Sequence, residues 1–573
     1  MNTPFPLDLD TLRSEIVGIN TRLHTPFGDR LMTYADYTAS GRALKFVEEY
    51  LLSKQKLYAN SHTEDDTTGR ITTQWLHAAE ERIKTAVNAG PGGRIIATGT
   101  GATGAIDRMQ QIVGVRLPAA SRLILAQMYQ GYMGEEQTTA FEEYCSQHQP
   151  VVFVGPYEHH SNEISWREGM ATVIEVQLDE EGGIDLEHLE SLLQEPAYRN
   201  RLRIGSFSAA SNVTGMISPV HDIARLRHRY NALAFFDYAA SAPYVAIDMN
   251  PADARQDEDA SLDAIFISPH KFLGGPGASG ILVFNERTYH RDLPPTLAAG
   301  GTVDYVGPRN HTFTADIETR EKGGTPGILQ TLKAAMVFDI KERIGIETLE
   351  ARERELTRRA LERWNSHPHI EILGNPDPHR RVGIISFNIK REGRHYLHPR
   401  FVTTLLDDLF GIQSRAGCSC AGPYGHQLLG INENRSEDYQ AWINKGFNGI
   451  KPGWCRVGFH YVFDDIEAQF IMEAVEFIAE FGDRFLQLYD FDQYTGIWRH
   501  NKARPQQSDF SLDEALALKL QPQAEDQPLD PPQREALYRD YLREARELAE
   551  SLPEGDYHSL FPSIPDAELE QVY

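Results

Sequence analysis

Between about residues 90 and 285 the chain alternates short β-branched or aromatic runs with longer amphipathic segments, and this alternation constrains the fold more than any other feature. The runs IIA (95–97), LILA (123–126), VVFV (151–154), ALAFF (232–236), AIFI (264–267) and GILVF (280–284) are each of strand length. Strands that are apolar throughout must be buried on both faces, so strands alternating with helices predict an α/β fold with a mostly parallel sheet covered on both sides. Ligands in such sheets sit beyond the carboxyl ends of the strands. Several runs here empty into Gly, Ser, Asp or His clusters at that end, which places the site in this large domain.

The remaining sequence is organised around that sheet. At roughly 150 residues per domain, the length leaves room for three or four units. We expect an N-terminal segment (1–30), a large domain (31–300), a smaller α/β C-terminal domain (301–490) and a linker with a helical tail (491–573). The smaller domain carries strand-like VGIISFNI (382–389) and helical EAQFIMEAVEFIAEF (467–481). Residues 501–530 are rich in Pro, Gln and Asp, interrupted by a short helix capped by Ser511 with Glu514 three residues on. A last helix is expected from Asp530-Pro531, an N-cap followed by Pro, with an apolar stripe of Leu537, Tyr541, Ala545, Leu548 and Leu552. That helix is expected to fold back onto the dimer, because its apolar stripe would otherwise be exposed.

Charge and cysteine content exclude several classes. The net charge is −26, which repels phosphate backbones and argues against nucleic-acid and membrane-surface partners while leaving room for a local basic pocket. No apolar run approaches bilayer length, and the start lacks a basic stretch followed by an apolar one, so a cytoplasmic protein is expected. Four cysteines (Cys145, Cys418, Cys420 and Cys455) are too few for a disulfide scaffold at this length. Cys145 and Cys455 read as strand-embedded.

Three segments carry chemistry. In AIFISPHKFLGGPGASGILVF (264–284) a strand delivers Ser268, His270 and Lys271 into a Gly-rich turn. A lysine desolvated there suits imine formation with an aldehyde, and Ser268 and His270 suit a phosphate. By itself S-x-H-K reads rather as a surface lysine after an edge strand. ALAFFDYAASAPY (232–244) ends a strand in Asp237, which can pair with a protonated pyridine nitrogen or cap the next helix. RIIATGTGATGAIDRM (94–109) is a strand, a Gly-rich turn and a helix start, offering backbone amides to a phosphate. Its spacing fits neither the dinucleotide fingerprint nor the Walker loop.

Taken in order from about residue 30 to 485, these segments resemble the class V aminotransferase superfamily. Its members are fold-type I enzymes that use pyridoxal 5'-phosphate (PLP), and the similarity is greatest to the cysteine desulfurase and selenocysteine lyase branch. The resemblance implies a large mostly parallel sheet domain and a smaller α/β domain. It makes Lys271 the Schiff-base lysine and proton shuttle, Asp237 the ring-nitrogen partner and Asn212, in SNVTG, the partner of the ring hydroxyl. Ala102, Thr103, Ser268 and His270 form the phosphate cup. His159, the first histidine of Glu158-His159-His160-Ser161-Asn162, stacks on the ring. Thr325, in REKGGTP (320–326), reaches the phosphate of a neighbouring subunit, which implies a homodimer.

Reaction type rests on SRAGCSCAGPYG (414–425), which is similar to the desulfurase loop and makes Cys420 the nucleophile. The resemblance implies that Cys420 takes sulfur from L-cysteine, or a related sulfur or selenium amino acid, as a persulfide, with alanine as product and a sulfur-acceptor protein as partner. Arg415 beside the loop favours a thiolate, and Arg456 in GWCRVGF matches the arginine that binds the substrate carboxylate. Without the resemblance, Cys418-x-Cys420 reads as two inert loop thiols, a redox pair or part of a metal site, and Arg456 as a rim ion pair. No metal is expected. The chain departs from the family pattern at Ala240, where a glutamine is usual, and at Tyr244, Gly422 and Cys418-Ser419. Two alternatives follow: another class V PLP reaction such as transamination, epimerisation or a lyase step without persulfide, or a non-catalytic sulfur-relay protein.

Overall fold

A computed structural model of the chain describes residues 7–61, 63, 65–252, 258–391, 396–502 and 529–554. Seven strands form the central sheet: β1 (Gly93–Thr98), β2 (Val151–Val154), β3 (Thr172–Glu175), β4 (Arg203–Ser208), β5 (Leu233–Asp237), β6 (Ala264–Ile267) and β7 (Gly280–Asn285). Their order is β1-β7-β6-β5-β4-β2-β3. All neighbours are parallel except β7, which runs antiparallel to β1 and β6. Strands β2, β4 and β6 are buried along their whole length; the apolar runs of β2 and β6 require it, and in β4 the buried Arg203 donates to the Leu193 and Tyr230 carbonyls. Register places Ser208 beside Asp237 and Asp237 beside Phe266, so the carboxyl ends of β4, β5 and β6 finish level.

A second, antiparallel sheet follows in the order β8-β9-β11-β10, from β8 (Ile370–Ile372), β9 (Ile384–Lys390), β10 (Arg415–Gly417) and β11 (Trp454–Gly458). One apolar core runs continuously from the central sheet through this one, joining residues such as Phe236, Ile385 and Val475.

Two sequence expectations change. LILA (123–126) lies within a helix, α2 (Ala119–Met133), which follows α1 (Gly101–Ile112) and forms a hairpin with α3 (Glu135–His148). A four-residue apolar run does not distinguish a strand from a helix segment. Here Pro118 and Gly134, with φ of 79°, bound a fifteen-residue helix around it. The hairpin leaves Leu123, Ile124, Met128 and Tyr132 exposed. Cys145 accordingly sits exposed on α3, whereas Cys455 is buried in β11 as expected.

The last helix is α6 (Pro531–Ser551), capped by the Asp530 carboxylate accepting from the Gln533 amide. It packs on its own chain, against α4 (Pro399–Phe410) and α5 (Asp465–Phe481) of the C-terminal half. The Tyr538 ring stacks on Phe470 at 3.8 Å and its hydroxyl meets Thr33 Oγ1 at 3.1 Å. Tyr541 accepts from the Leu31 amide and lies under the Arg30 guanidinium. The helix thereby ties residues 30–33 to α5. The Ser511-capped helix falls outside the described residues. Among the described residues no helix is long and apolar enough to cross a membrane.

Candidate active site

Loops leaving the carboxyl ends of β1, β2, β4, β5 and β6 enclose a cavity of about 170 Å³. Eight of the residues singled out above line it: Ala102, Thr103, His159, Asn212, Asp237, Ser268, His270 and Lys271.

One wall is polar and shaped for an anion. After β1 the chain turns through Gly101, whose φ is +57° and where a Cβ would lie 2.8 Å from Ser268 Oγ. Gly280 lets β7 pass equally close, since a Cβ there would meet the Gly101 carbonyl at 2.2 Å. These approaches bring the first turn of α1 onto the β6 loop, where the Ala102 amide donates to Ser268 Oγ at 2.9 Å. Thr103 Oγ1 and Ser161 Oγ pair at 2.7 Å. Hydroxyls and helix-start amides therefore converge with His270, which burial, reinforced by the Lys271 charge, holds down to about 4 and hence neutral.

The opposite wall holds the titrating groups. Burial pulls the Lys271 amine down to about 8, against the pull of Asp237, which favours its charge. Asp237 itself is raised by burial, and its Oδ1 accepts from the Ala239 amide at 2.8 Å. His159 is lowered to about 4, first by burial and then by the nearby Lys271 charge. Its Nδ1 accepts from the Ser161 amide at 3.1 Å, so a neutral ring stands over the cavity. Beneath it, Glu158 accepts from the Ser208 amide and hydroxyl and from Asn162 Nδ2. Burial nevertheless pushes this carboxyl up to about 7.

These residues fit PLP. A buried carboxylate with a single backbone donor suits a cationic ring nitrogen, and Asn212 Oδ1 is buried without a partner at the cavity wall. The amine, the neutral imidazole and the anion cup occupy the remaining sides.

The cysteine loop sits at the rim. Asn212 Nδ2 donates to the Ser419 carbonyl at 2.6 Å and the His160 amide to the Cys420 carbonyl at 2.8 Å. The Gly422 amide donates to His160 Nε2 at 3.1 Å. The backbone of the loop is thus joined to the cavity wall, while the Cys420 side chain is exposed and does not line the cavity. Arg456 stands behind Asn212, donating to its carbonyl at 2.9 Å and to Asp36 Oδ1 at 2.9 Å. Arg415 Nε reaches the other Asp36 oxygen at 3.0 Å. Thr325 does not line this cavity; its hydroxyl accepts from Asn60 on the surface.

Asp36, Ser161 and the His160 clip were not foreseen. Asp36 meets partners 379 and 420 residues away, and its T-Y-A-D-Y surroundings carry no local signature. His160 could have been suspected from its place beside His159.

The class V aminotransferase family model matches residues 139–467. A probable cysteine desulfurase of Halalkalibacterium halodurans is 29% identical over 397 residues, covering 68% of this chain and 84% of that protein. One from Staphylococcus epidermidis is 27% identical over 428 residues, covering 74% and 91%. Among solved structures, the apo cysteine desulfurase of Thermococcus onnurineus NA1 has a TM-score of 0.62 at 21% identity, covering 84% of this chain and 100% of that one. The cysteine desulfurase CsdA of Escherichia coli, in its S-sulfonic acid form, gives 0.59 at 19%, covering 83% and 99%. At these identities the solved structures establish the shared fold.

Proposed function

Because the chain belongs to the class V aminotransferase family, we propose that it is a PLP-dependent cysteine desulfurase that takes sulfur from L-cysteine, or a related sulfur or selenium amino acid, onto Cys420. The observation that carries this reading is the convergence of Lys271, Asp237, His159 and Asn212 on one cavity whose rim is bonded to the Cys420 loop. The curated relatives named above are probable cysteine desulfurases, which supports it.

When bound, PLP supplies an aldehyde that engages amines and a cationic ring that accepts electron density from the substrate Cα. Lys271, held near 8, presents a usable fraction of neutral amine at physiological pH and can take up or release a proton at Nζ. Asp237 would keep the ring nitrogen protonated, and Asn212 Oδ1 would take the ring hydroxyl as donor. Ala102, Thr103, Ser268 and His270 would hold the phosphate, with Thr325 contributed across a homodimer. Neutral His159 restrains the ring plane without adding charge. Arg456, fixed by Asp36, offers its remaining donors to the substrate carboxylate, with Arg415 as a second cation nearby. Cys420, outside the cavity, accepts the sulfur and carries it where a sulfur-acceptor protein can reach it. Four cysteines in 573 residues, all with free thiols, support a cytoplasmic setting.

The deciding experiment quantifies alanine and sulfide together from purified PLP-loaded protein, L-cysteine and a reductant. Equal catalytic amounts of both are expected. Neither product from a protein with the yellow cofactor band would reject this reaction.

A further inference from the structure

The loop that carries Cys420 holds a second exposed thiol two positions earlier, at Cys418. The Ala421 amide donates to the Cys418 carbonyl at 3.0 Å, closing a four-residue turn. Its two central residues, Ser419 and Cys420, have φ of 51° and 57°. Positive φ at both central positions is the signature of a type I′ turn, and Ser and Cys adopt it rarely. Outside contacts enforce it: Asn212 holds the Ser419 carbonyl and His160 the Cys420 carbonyl. All of this anchoring uses backbone atoms of the loop. Such a turn draws positions i and i+2 in from the ~7 Å of extended chain towards the roughly 4.4–6.8 Å between Cα atoms that a disulfide spans.

The other two cysteines do not compete. Cys455 is buried beneath the loop, with its thiol pushed up to about 11 by burial, and Cys145 lies on α3.

We infer that Cys418 is a resolving thiol that attacks a Cys420 persulfide, forms a Cys418–Cys420 disulfide and releases sulfide. The inference rests on the proposed role of Cys420. The Cys418 thiolate attacks the inner sulfur, on Cys420; the bond to the terminal sulfur breaks, and that sulfur leaves with the electron pair as hydrosulfide. The hydrosulfide keeps the persulfide hydrogen, and the proton lost by Cys418 converts it to H₂S. Two cysteine thiols are oxidised by two electrons in total, and the sulfane sulfur is reduced to sulfide, so this step needs no external oxidant. A cytosolic dithiol then reduces the disulfide. A disulfide closing so small a ring is strained and correspondingly easy to reduce. The protein would thereby release free sulfide whenever no acceptor protein has collected the sulfane sulfur from Cys420.

The test uses PLP-loaded full-length protein with one equivalent of L-cysteine, without air or reductant, followed by acid quenching. Alanine, sulfide and intact non-reduced mass are measured together. The wild-type protein is expected to give one sulfide per alanine and to lose the mass of two hydrogens. Cys418→Ser is expected to gain the mass of one sulfur and to release sulfide only when dithiothreitol is added. A wild-type protein that retains the extra sulfur, or a Cys418→Ser protein that releases sulfide as the wild type does, overturns the inference. Absence of alanine from the wild-type reaction instead rejects desulfuration itself, and the inference with it.

Discussion

Lys271 and Asp237 project from the ends of adjacent strands into one low-dielectric cavity, and their coupling predicts a pH dependence. Only the neutral amine condenses with an aldehyde. With Lys271 held near 8, the rate of PLP uptake by cofactor-free protein should rise with pH through about 8, instead of near the ordinary lysine value. Stopped-flow absorbance across a pH series measures this. Asp237 is the leading influence that raises the lysine, so Asp237→Asn should move the midpoint to lower pH; an upward shift would contradict the assigned coupling. Cys420, by contrast, stands outside the cavity. Cys420→Ser should abolish sulfide release while leaving the visible cofactor band unchanged, and retained sulfide release would exclude it as the nucleophile. That substitution also separates desulfuration from transamination, in which the thiol is dispensable.

At the scale of elements, the cysteine loop and the last helix each depend on contacts remote in sequence. His160 clips the loop through its own amide and through Nε2, which must keep a lone pair to accept from Gly422. Burial holds this histidine below its ordinary value, so the clip persists above that range and is lost as pH falls through the lowered value. His160→Ala should slow sulfur transfer at least tenfold while leaving the PLP dissociation constant within a factor of two, roughly the loss of a hydrogen bond of about 1.5 kcal/mol. Equal loss of both would mean that His160 supports the whole pocket. In the last helix, Tyr538 is 4% exposed and stacked on Phe470. Its replacement by alanine should cost about 3 kcal/mol, read by urea denaturation. A cost within experimental error would mean that the helix does not stabilise the fold.

For the whole molecule, the net charge of −26 contrasts with the two guanidiniums gathered around Asp36. The acidic exterior favours solubility, while the local cations pair with Asp36 and, in the role proposed above, would receive a small carboxylate. Thr325 lies off its own cavity, and the proposed homodimer would bring it to a neighbouring subunit's phosphate. On that proposal, sedimentation should give the mass of two chains, and Thr325→Ala should weaken PLP binding about tenfold, the loss expected for one hydrogen bond to a charged phosphate. A monomer with unchanged PLP affinity on that substitution would remove the shared-site arrangement.

The sequence by itself determined the elements whose evidence is local. Apolar runs marked the core strands and Asp530-Pro531 the start of the last helix, because periodicity and capping are local. Lys271, Asp237, His159 and Asn212 were singled out only by the ordered resemblance to class V aminotransferases, since a lone S-x-H-K or a strand-end Asp or His has an ordinary structural reading. Only the tertiary structure decided that LILA is helical, because a four-residue apolar run satisfies either period and the bounding Pro118 and Gly134 settle it. It alone joined Asp36 to both arginines and His160 to the cysteine loop. It also laid the final helix on α4 and α5 of its own chain. Those contacts pair residues hundreds of positions apart, and no periodicity or spacing within the chain encodes which distant surfaces meet.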